Sequence, residues 1–329
     1  MRAVLCRTLG GIDGLAVESI DAPEPGPGEV RVRVHAAALN FPDLLIIEGR
    51  YQVKPPLPFV PGMELAGVID RIGAGVTGFQ PGDRVAAVVT WGAFAEYACV
   101  AVDRLAALPA AVDFGPGAAL GLAYQTVWHA LTTRAGLRAG EKLLVLGASG
   151  GIGLAAVQLG RQLGATVIAA ASSPDKLAAC REHGATHLID YRADDLRAAI
   201  KTLTDGAGVD VVLDPVGGGM AEPALRSLGW RGRYLVVGFA EGTVPRLPLN
   251  LALLSERDIL GVYVGEAFRR APAERARLSA ELLGMAAEGR FAPPICAEYA
   301  LDDYAAALTA LRDRRAVGKI LLRMSATGH

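Results

Sequence analysis

The sequence predicts an α/β protein of two domains, an irregular β domain followed by a doubly wound parallel sheet. Three observations predict it. Residues 1–118 hold short strand patterns broken by Gly and Pro, with no long helical run. From residue 119 strand and helix patterns alternate, as they do where helices cover both faces of a parallel sheet. The stretch LLVLGASGGIGLAAVQLG (143–160) passes from an apolar run to a helical pattern through a glycine-rich turn. A chain of 329 residues has the length for two domains of roughly 150 residues each.

In EVRVRVHA (29–36), Val30, Val32 and Val34 alternate with Arg31, Arg33 and His35, which puts the valines on one face of a strand. PEPGPGE before it is a turn cluster. LAGVIDRIG, DRVAAVV and GAFAEYACV read as further strands. GPGAALGLAYQTVWHALTTRAGL (115–137) opens the helical pattern. KLLVLGA, TVIAAAS, HLID, VDVVLDPV, GRYLVVGF and DILGVYVG then read as strands. GIGLAAVQLGRQLG, SPDKLAACREHG, DDLRAAIKTLT and MAEPALRSL are helices between them. ERARLSAELLGMAAEG is another helix, and GKILLRM a strand read as returning to the first domain. The domains are therefore expected at 1–118 with 266–329, and at 119–265.

Charge and special residues narrow the function. The net charge of -1, with acids and bases nearly balanced, argues against a dedicated nucleic-acid or anionic-membrane surface. MRAVLCRTLGGIDGL lacks the apolar core of a secretory signal, and no window approaches the ~18 apolar residues of a membrane span. The protein is read as soluble and cytoplasmic. Cys6, Cys99, Cys180 and Cys296 are too scattered for a disulfide framework or a structural zinc cluster. His183 and His187 have helical metal-pair spacing, but Gly184 between them ends the helix.

ASGGIG (148–153) places Ala148, Gly150 and Gly153 at the three positions of a GxGxxG fingerprint. With a strand before it and a helix after it, amides at the helix start face a pyrophosphate, and missing side chains allow close approach. Sites for NAD carry an acid at the end of the next strand, about 20 residues on. Here that strand ends at Ser172, Lys176 follows within a turn, and Tyr191 ends the third strand region. A hydroxyl, an ammonium and a phenol suit a 2′-phosphate, so NADPH is the expected cofactor. Ser173-Pro174 also reads as a helix cap with Lys176 solvated, and both readings hold together. Asp175 is the nearby acid, placed where it favours the helix dipole.

PGPGEVRVRVHAAALNFPDLL, PFVPGMELAGVI, GDRVAA, GAFAEY, TVWHAL, GASGGIG, DPVGG and VGKILL follow one another along essentially the whole chain. In that order they resemble the zinc-free quinone oxidoreductase branch of the medium-chain dehydrogenase/reductase superfamily. The resemblance implies a GroES-like β domain, a Rossmann domain and a homodimer, often formed by pairing the edges of the Rossmann sheets. It implies cofactor contacts at Thr126, Ser149, Gly150, Gly151 and Ile152, with Ser172, Lys176 and Tyr191 at the adenosine end. For the nicotinamide half and the phosphates it implies Gly217, Gly238, Phe239, Ala240, Val262, Tyr263, Val264 and Lys319. Residues 262–264 also read as a plain buried strand.

Zinc-dependent relatives carry a Cys before a Gly-Ser-Asp segment and a His in a Gly-His-Glu step. Here Asn40 stands near the first ligand position and Met63 near the second. An amide and a thioether do not make a zinc site, which argues against alcohol dehydrogenation. Hydride transfer to an electron-poor acceptor remains, with donors needed near the acceptor oxygen. By resemblance Asn40, Asp43 and Tyr51 line the substrate site. Each also has a structural reading: Asn40 as a turn or cap residue, Asp43 as a cap of LLIIEG, and Tyr51 packed on KPPLPF. Leu45 stands where many zinc-free quinone reductases carry a tyrosine, which makes the pocket more apolar. The function expected is NADPH-dependent quinone reduction. Reduction of an α,β-unsaturated carbonyl or an enoyl-CoA of the acryloyl-CoA type is the alternative. NADPH binding with little turnover is the non-enzymatic reading.

Overall fold

The computed structural model describes residues 1–324. The chain divides into two compact units, one of residues 1–122 together with the chain from 268 onward, the other of residues 123–267. Among the described residues, no helix is long and apolar enough to cross a membrane.

The first unit runs β1 (Arg2–Cys6), β2 (Leu15–Ser19), β3 (Glu29–Ala38), α1 (Phe41–Ile47), β4 (Glu64–Ile72), β5 (Arg84–Val88), β6 (Tyr97–Ala101) and β7 (Leu105–Ala107). α2 (Phe114–Trp128) leads out of it. The second unit alternates β8 (Lys142–Leu146), α3 (Gly151–Gln162), β9 (Thr166–Ala171), α4 (Pro174–Glu182), β10 (His187–Asp190), α5 (Leu196–Leu203) and β11 (Val209–Asp214). It continues with α6 (Ala221–Arg226), β12 (Leu228–Val236), α7 (Asn250–Leu253) and β13 (Asp258–Gly261). α8 (Val264–Arg270), α9 (Pro272–Ala287), β14 (Ile295–Ala300), α10 (Tyr304–Arg312) and β15 (Lys319–Arg323) follow.

In the first unit β3 is the spine. The seven-stranded sheet is ordered β14-β15-β3-β4-β5-β7, with β6 also paired to β3. β15 pairs antiparallel with β3, Leu321 facing Ala38, so a C-terminal segment closes a sheet begun near residue 29. Val30, Val32 and Val34 enter the core, as their alternation predicts. Arg31, read on the polar face, is also buried. Its guanidinium bonds Asp70 at 2.8 Å and Glu24 at 3.1 Å and lies 5.2 Å over the Tyr97 ring. Paired charge and a π face offset its loss of water.

In the second unit all six strands are parallel, in the order β10-β9-β8-β11-β12-β13. Counted from β8 this is the 3-2-1-4-5-6 order of the Rossmann fold. β8 lies between strands on both sides, and its residues Leu143 to Leu146 are at most 1% exposed. Strands covered on both faces read as continuous apolar runs, which is why KLLVL is legible as one. One boundary needs correction. DILGVYVG is not a strand throughout: pairing stops where Gly261 meets Val236, the last residue of β12. Beyond it only the Val262 N–H still reaches β12, at Val236 O, and Val264 opens α8. α4 ends at Glu182, and Gly184 takes φ +112°, so His183 and His187 do not share a helix.

Candidate functional site

In the first unit four buried polar side chains meet where β3 turns into α1. Asn40 has extended backbone and caps α1, with Pro42 in the first turn. Its backbone N–H donates to Asp43 Oδ2 at 2.7 Å, the return half of a capping box. Glu64, the first residue of β4, is fully buried. Its Oε1 accepts from Asn40 Nδ2 at 2.8 Å and from Lys319 Nζ, and its Oε2 accepts the Leu122 N–H at 2.7 Å. Lys319, the first residue of β15 and 3% exposed, also donates to Asn40 Oδ1 at 2.6 Å. Gly121 makes room for this: a Cβ there would lie 3.2 Å from Glu64 Oε2 and 2.5 Å from Val88 Cγ2.

This geometry bears on two expectations. Asn40 spends both amide hydrogens inside the protein, on Glu64 and on Ala38 O at 3.2 Å, so it has no N–H left for an acceptor oxygen. Lys319, which the resemblance puts at the cofactor, uses two of its three N–H groups on Glu64 and Asn40. Glu64 carries the whole cluster and was missed. The signal was present as an acid inside the apolar run GMELAGV, where only a paired carboxylate is tolerated. Asp43 combines its cap with full burial; burial pushes its carboxyl up to about 8, while the Asn40 N–H pulls the other way. Its Oδ1 has no hydrogen-bond partner. Tyr51 is half-buried against the first unit's core, its N–H on Leu45 O at 3.2 Å. Met63 is buried. Among the described residues, no three His, Cys, Asp or Glu side chains gather as a metal site.

In the second unit the candidate cofactor residues lie at the C-terminal ends of the strands. β8 leaves the sheet through Gly147 at φ +56°, and α3 begins at Gly151 with no side chain capping its first amides. A Cβ on Gly153 would sit 2.4 Å from Gly147 O, so helix and turn touch only because it is glycine. A Cβ on Gly150 would meet nothing nearer than 3.5 Å. The protein itself does not crowd Gly150, and open space beside uncapped amides fits an approaching pyrophosphate. Ser149 is buried, and Gly151 and Ile152 are half-buried. β9 and β11 flank β8, which makes this the switch point where α/β sheets hold ligands.

The adenosine-end candidates converge through the pairing of β9 with β10. The Tyr191 N–H donates to Ala171 O at 3.2 Å, and Lys176 Nζ donates to Ser172 Oγ at 3.4 Å. Ser173 Oγ accepts the Lys176 N–H at 3.5 Å, so the capping reading holds as well. Gly217, Gly238, Phe239 and Ala240 share the loops after β11 and β12, laced by Ala240 N–H to Pro215 O at 3.0 Å and Glu241 N–H to Val216 O at 2.9 Å. Asp214, which sequence reasoning missed, anchors these loops from below. Its Oδ1 accepts the N–H groups of Val216 and Gly217 at 2.7 and 2.8 Å, and its Oδ2 takes the Tyr234 hydroxyl. Val262 is half-buried beside β12, Tyr263 is exposed, and Val264 starts a helix. Thr126 is buried in α2, which widens into a π-helical turn at His129–Arg134; such turns recur at functional sites.

Asp43 gives a test by pH. Its folded-state pKa near 8 lies above the ordinary 3.8, so the folded state binds this proton more tightly than the unfolded one. Wild-type stability should therefore fall relative to Asp43→Asn by up to about 1.4 kcal/mol per pH unit between roughly pH 4 and 8, then level off. Urea unfolding of both proteins across that range checks it; parallel curves would show that Asp43 ionises normally.

Comparison with known proteins supplies the family. Residues 26–110 match the alcohol dehydrogenase GroES-like domain, and residues 151–281 match the zinc-binding dehydrogenase domain. A quinone oxidoreductase-like protein 2 homolog of Nematostella vectensis is 35% identical over 98% of this chain and 88% of its own length. A quinone oxidoreductase of Pseudomonas aeruginosa is 36% identical over 95% of this chain and 96% of its own. The crystal structure of the Escherichia coli quinone oxidoreductase complexed with NADPH superposes with a TM-score of 0.92, at 30% identity, covering 98% of this chain and all of that one. An uncapped glycine turn at the switch point, a GroES-like unit closed by its C-terminal strand, and quinone oxidoreductase relatives matched over most of their length lead to one assignment. The chain belongs to the quinone oxidoreductase branch of the medium-chain dehydrogenase/reductase superfamily.

Proposed function

We propose that the protein is an NADPH-dependent reductase that passes hydride to a quinone without a metal ion. The observation that carries the cofactor is the end of β9. Ser172 and Lys176 hold a hydroxyl and an ammonium where a site for NAD carries a carboxylate, with Tyr191 just past the end of the neighbouring strand β10. The NADPH in the Escherichia coli relative supports the same choice. NADPH, when bound, supplies the hydride. The α3 amides hold the pyrophosphate, and Lys176 with Ser172 and Tyr191 neutralises and bonds the 2′-phosphate.

Hydride addition turns a quinone into a hydroquinone anion, and one proton completes the hydroquinone. Asn40 has no amide hydrogen for that oxygen, which leaves the Tyr51 hydroxyl as the candidate donor, resupplied by water. Metal-free chemistry has physical support. Asn40 and Met63 stand at the ligand positions of the metal-dependent relatives, and the Lys319 ammonium 2.6 Å from Asn40 Oδ1 repels a second cation. Asn40, Asp43, Glu64 and Lys319 act as the frame beneath the substrate site.

A homodimer is part of the reading. β13 is the last strand of its sheet, with one edge unpaired in the chain. Around it Val244, Leu249, Leu253, Leu254 and Tyr263 are each more than half exposed. A row of large apolar side chains beside an open edge fits a second copy of the same surface.

Four measurements test this. NADPH absorbance, followed with 9,10-phenanthrenequinone, acryloyl-CoA and NADH controls, should fall fast with NADPH and the quinone; turnover of the thioester alone would move the assignment to enoyl reduction. Replacing Ser172 by Asp and Lys176 by Ala should cut the NADPH-over-NADH preference in kcat/KM by about 10- to 100-fold, while Tyr51→Phe should lower quinone kcat/KM about tenfold or more at unchanged NADPH affinity. Light scattering should give twice the chain mass for the wild type and the single-chain mass for a Leu253→Glu, Leu254→Glu variant; equal masses would remove this surface from the interface.

A further inference from the structure

The turn that follows β11 is held from two opposite sides. Gly217 and Gly218 both adopt left-handed backbone, at φ +69° and +58°, which glycine alone enters without strain. Glycine loses more conformational freedom on ordering than any other residue, so fixing two in succession is costly. Yet four successive N–H groups are engaged. Those of Val216 and Gly217 go to Asp214 Oδ1, that of Gly218 to Thr243 O at 3.1 Å, and that of Gly219 to Glu241 Oε2 at 2.8 Å. Asp214 is buried beneath the turn, whereas Glu241 is exposed and closes over it. A Cβ on Gly218 would lie 1.0 Å from Glu241 Oε2, so the carboxylate occupies the space a side chain would take. A Cβ on Gly217 would press on the Phe239 ring at 2.8 Å.

We propose that Glu241 is a positioning residue: its carboxylate clasps the Val216–Gly219 turn and presets the wall that receives the nicotinamide half of the cofactor. This rests on the NADPH reading above. No amide of the turn is left to grip a phosphate, so the turn works by its shape, and its shape depends on Asp214 and Glu241 together. Asp214 is set by the sheet. Glu241 is the half of the clasp that faces solvent and comes from another loop, so loosening it unfixes Gly219 and shifts the cost of ordering onto cofactor binding.

The test uses the full-length protein and the Glu241→Ala and Glu241→Gln variants. Hydrogen exchange over residues 214–221, without cofactor, should be faster in Glu241→Ala and near wild type in Glu241→Gln, whose amide oxygen still accepts the Gly219 N–H. The NADPH dissociation constant, from fluorescence titration, should rise about fivefold in Glu241→Ala and recover in Glu241→Gln, with the larger kinetic effect in the KM for NADPH than in kcat. Unchanged exchange and affinity in Glu241→Ala, or a glutamine variant as weak as the alanine one, overturns the clasp. A wild-type protein that does not bind NADPH overturns the cofactor reading instead, and the exchange comparison still decides whether Glu241 fixes the turn.

Discussion

The buried carboxylate of Glu64 is the contact on which the first unit's architecture depends. It gathers donors from three other places: the side chain at the cap of α1, the first residue of β15, and a backbone N–H within α2. A carboxylate with no exposure is tolerable only when its oxygens are filled and a countercharge is fixed nearby. Lys319 provides the charge, and Asn40 and Leu122 fill the remaining lone pairs. Removing one member of such a group leaves the others charged in a dry place, at a cost of about 3–5 kcal/mol. The position of each element is thereby tied to the position of all.

The second unit solves a different problem by different means. Its candidate cofactor surface is mostly backbone, shaped by glycines where helix and turn must touch and by Asp214 where a loop must keep its form. The parallel sheet places these loops side by side because β8 sends its neighbours in opposite directions. In the proposed reading side chains matter mainly at the edge, where Ser172, Lys176 and Tyr191 would set which dinucleotide fits. One unit thus holds its candidate residues by buried charge, the other by chain geometry.

What was legible in the sequence was local. Alternating strand and helix patterns reveal the parallel sheet, because fully buried strands are apolar throughout. The ASGGIG turn can be placed because its flanks are unambiguous. Asn40 and Met63 bear on a metal site only through the family resemblance, which supplies the positions to compare. What stayed hidden was long-range. Lys319 and Glu64 are separated by 255 residues, and no spacing rule links them. Arg31 obeys the strand's alternation yet is buried, since its partners Asp70 and Tyr97 lie on other strands. Asp214 reads as the last residue of a strand until its loop is seen folded back over it. The end of β13 depended on where β12 stops offering partners.

The return of β15 to the first unit also has a consequence for vectorial synthesis. Residues 123–267 are contiguous and can fold as soon as they have left the ribosome. Glu64 is made early, but its ammonium partner comes 255 residues later. Until then the carboxylate has no countercharge and must stay in water, so β3 has no β15 beside it and its edge remains open. A chain cut before Lys319 would leave Glu64 without its countercharge and the edge of β3 without β15.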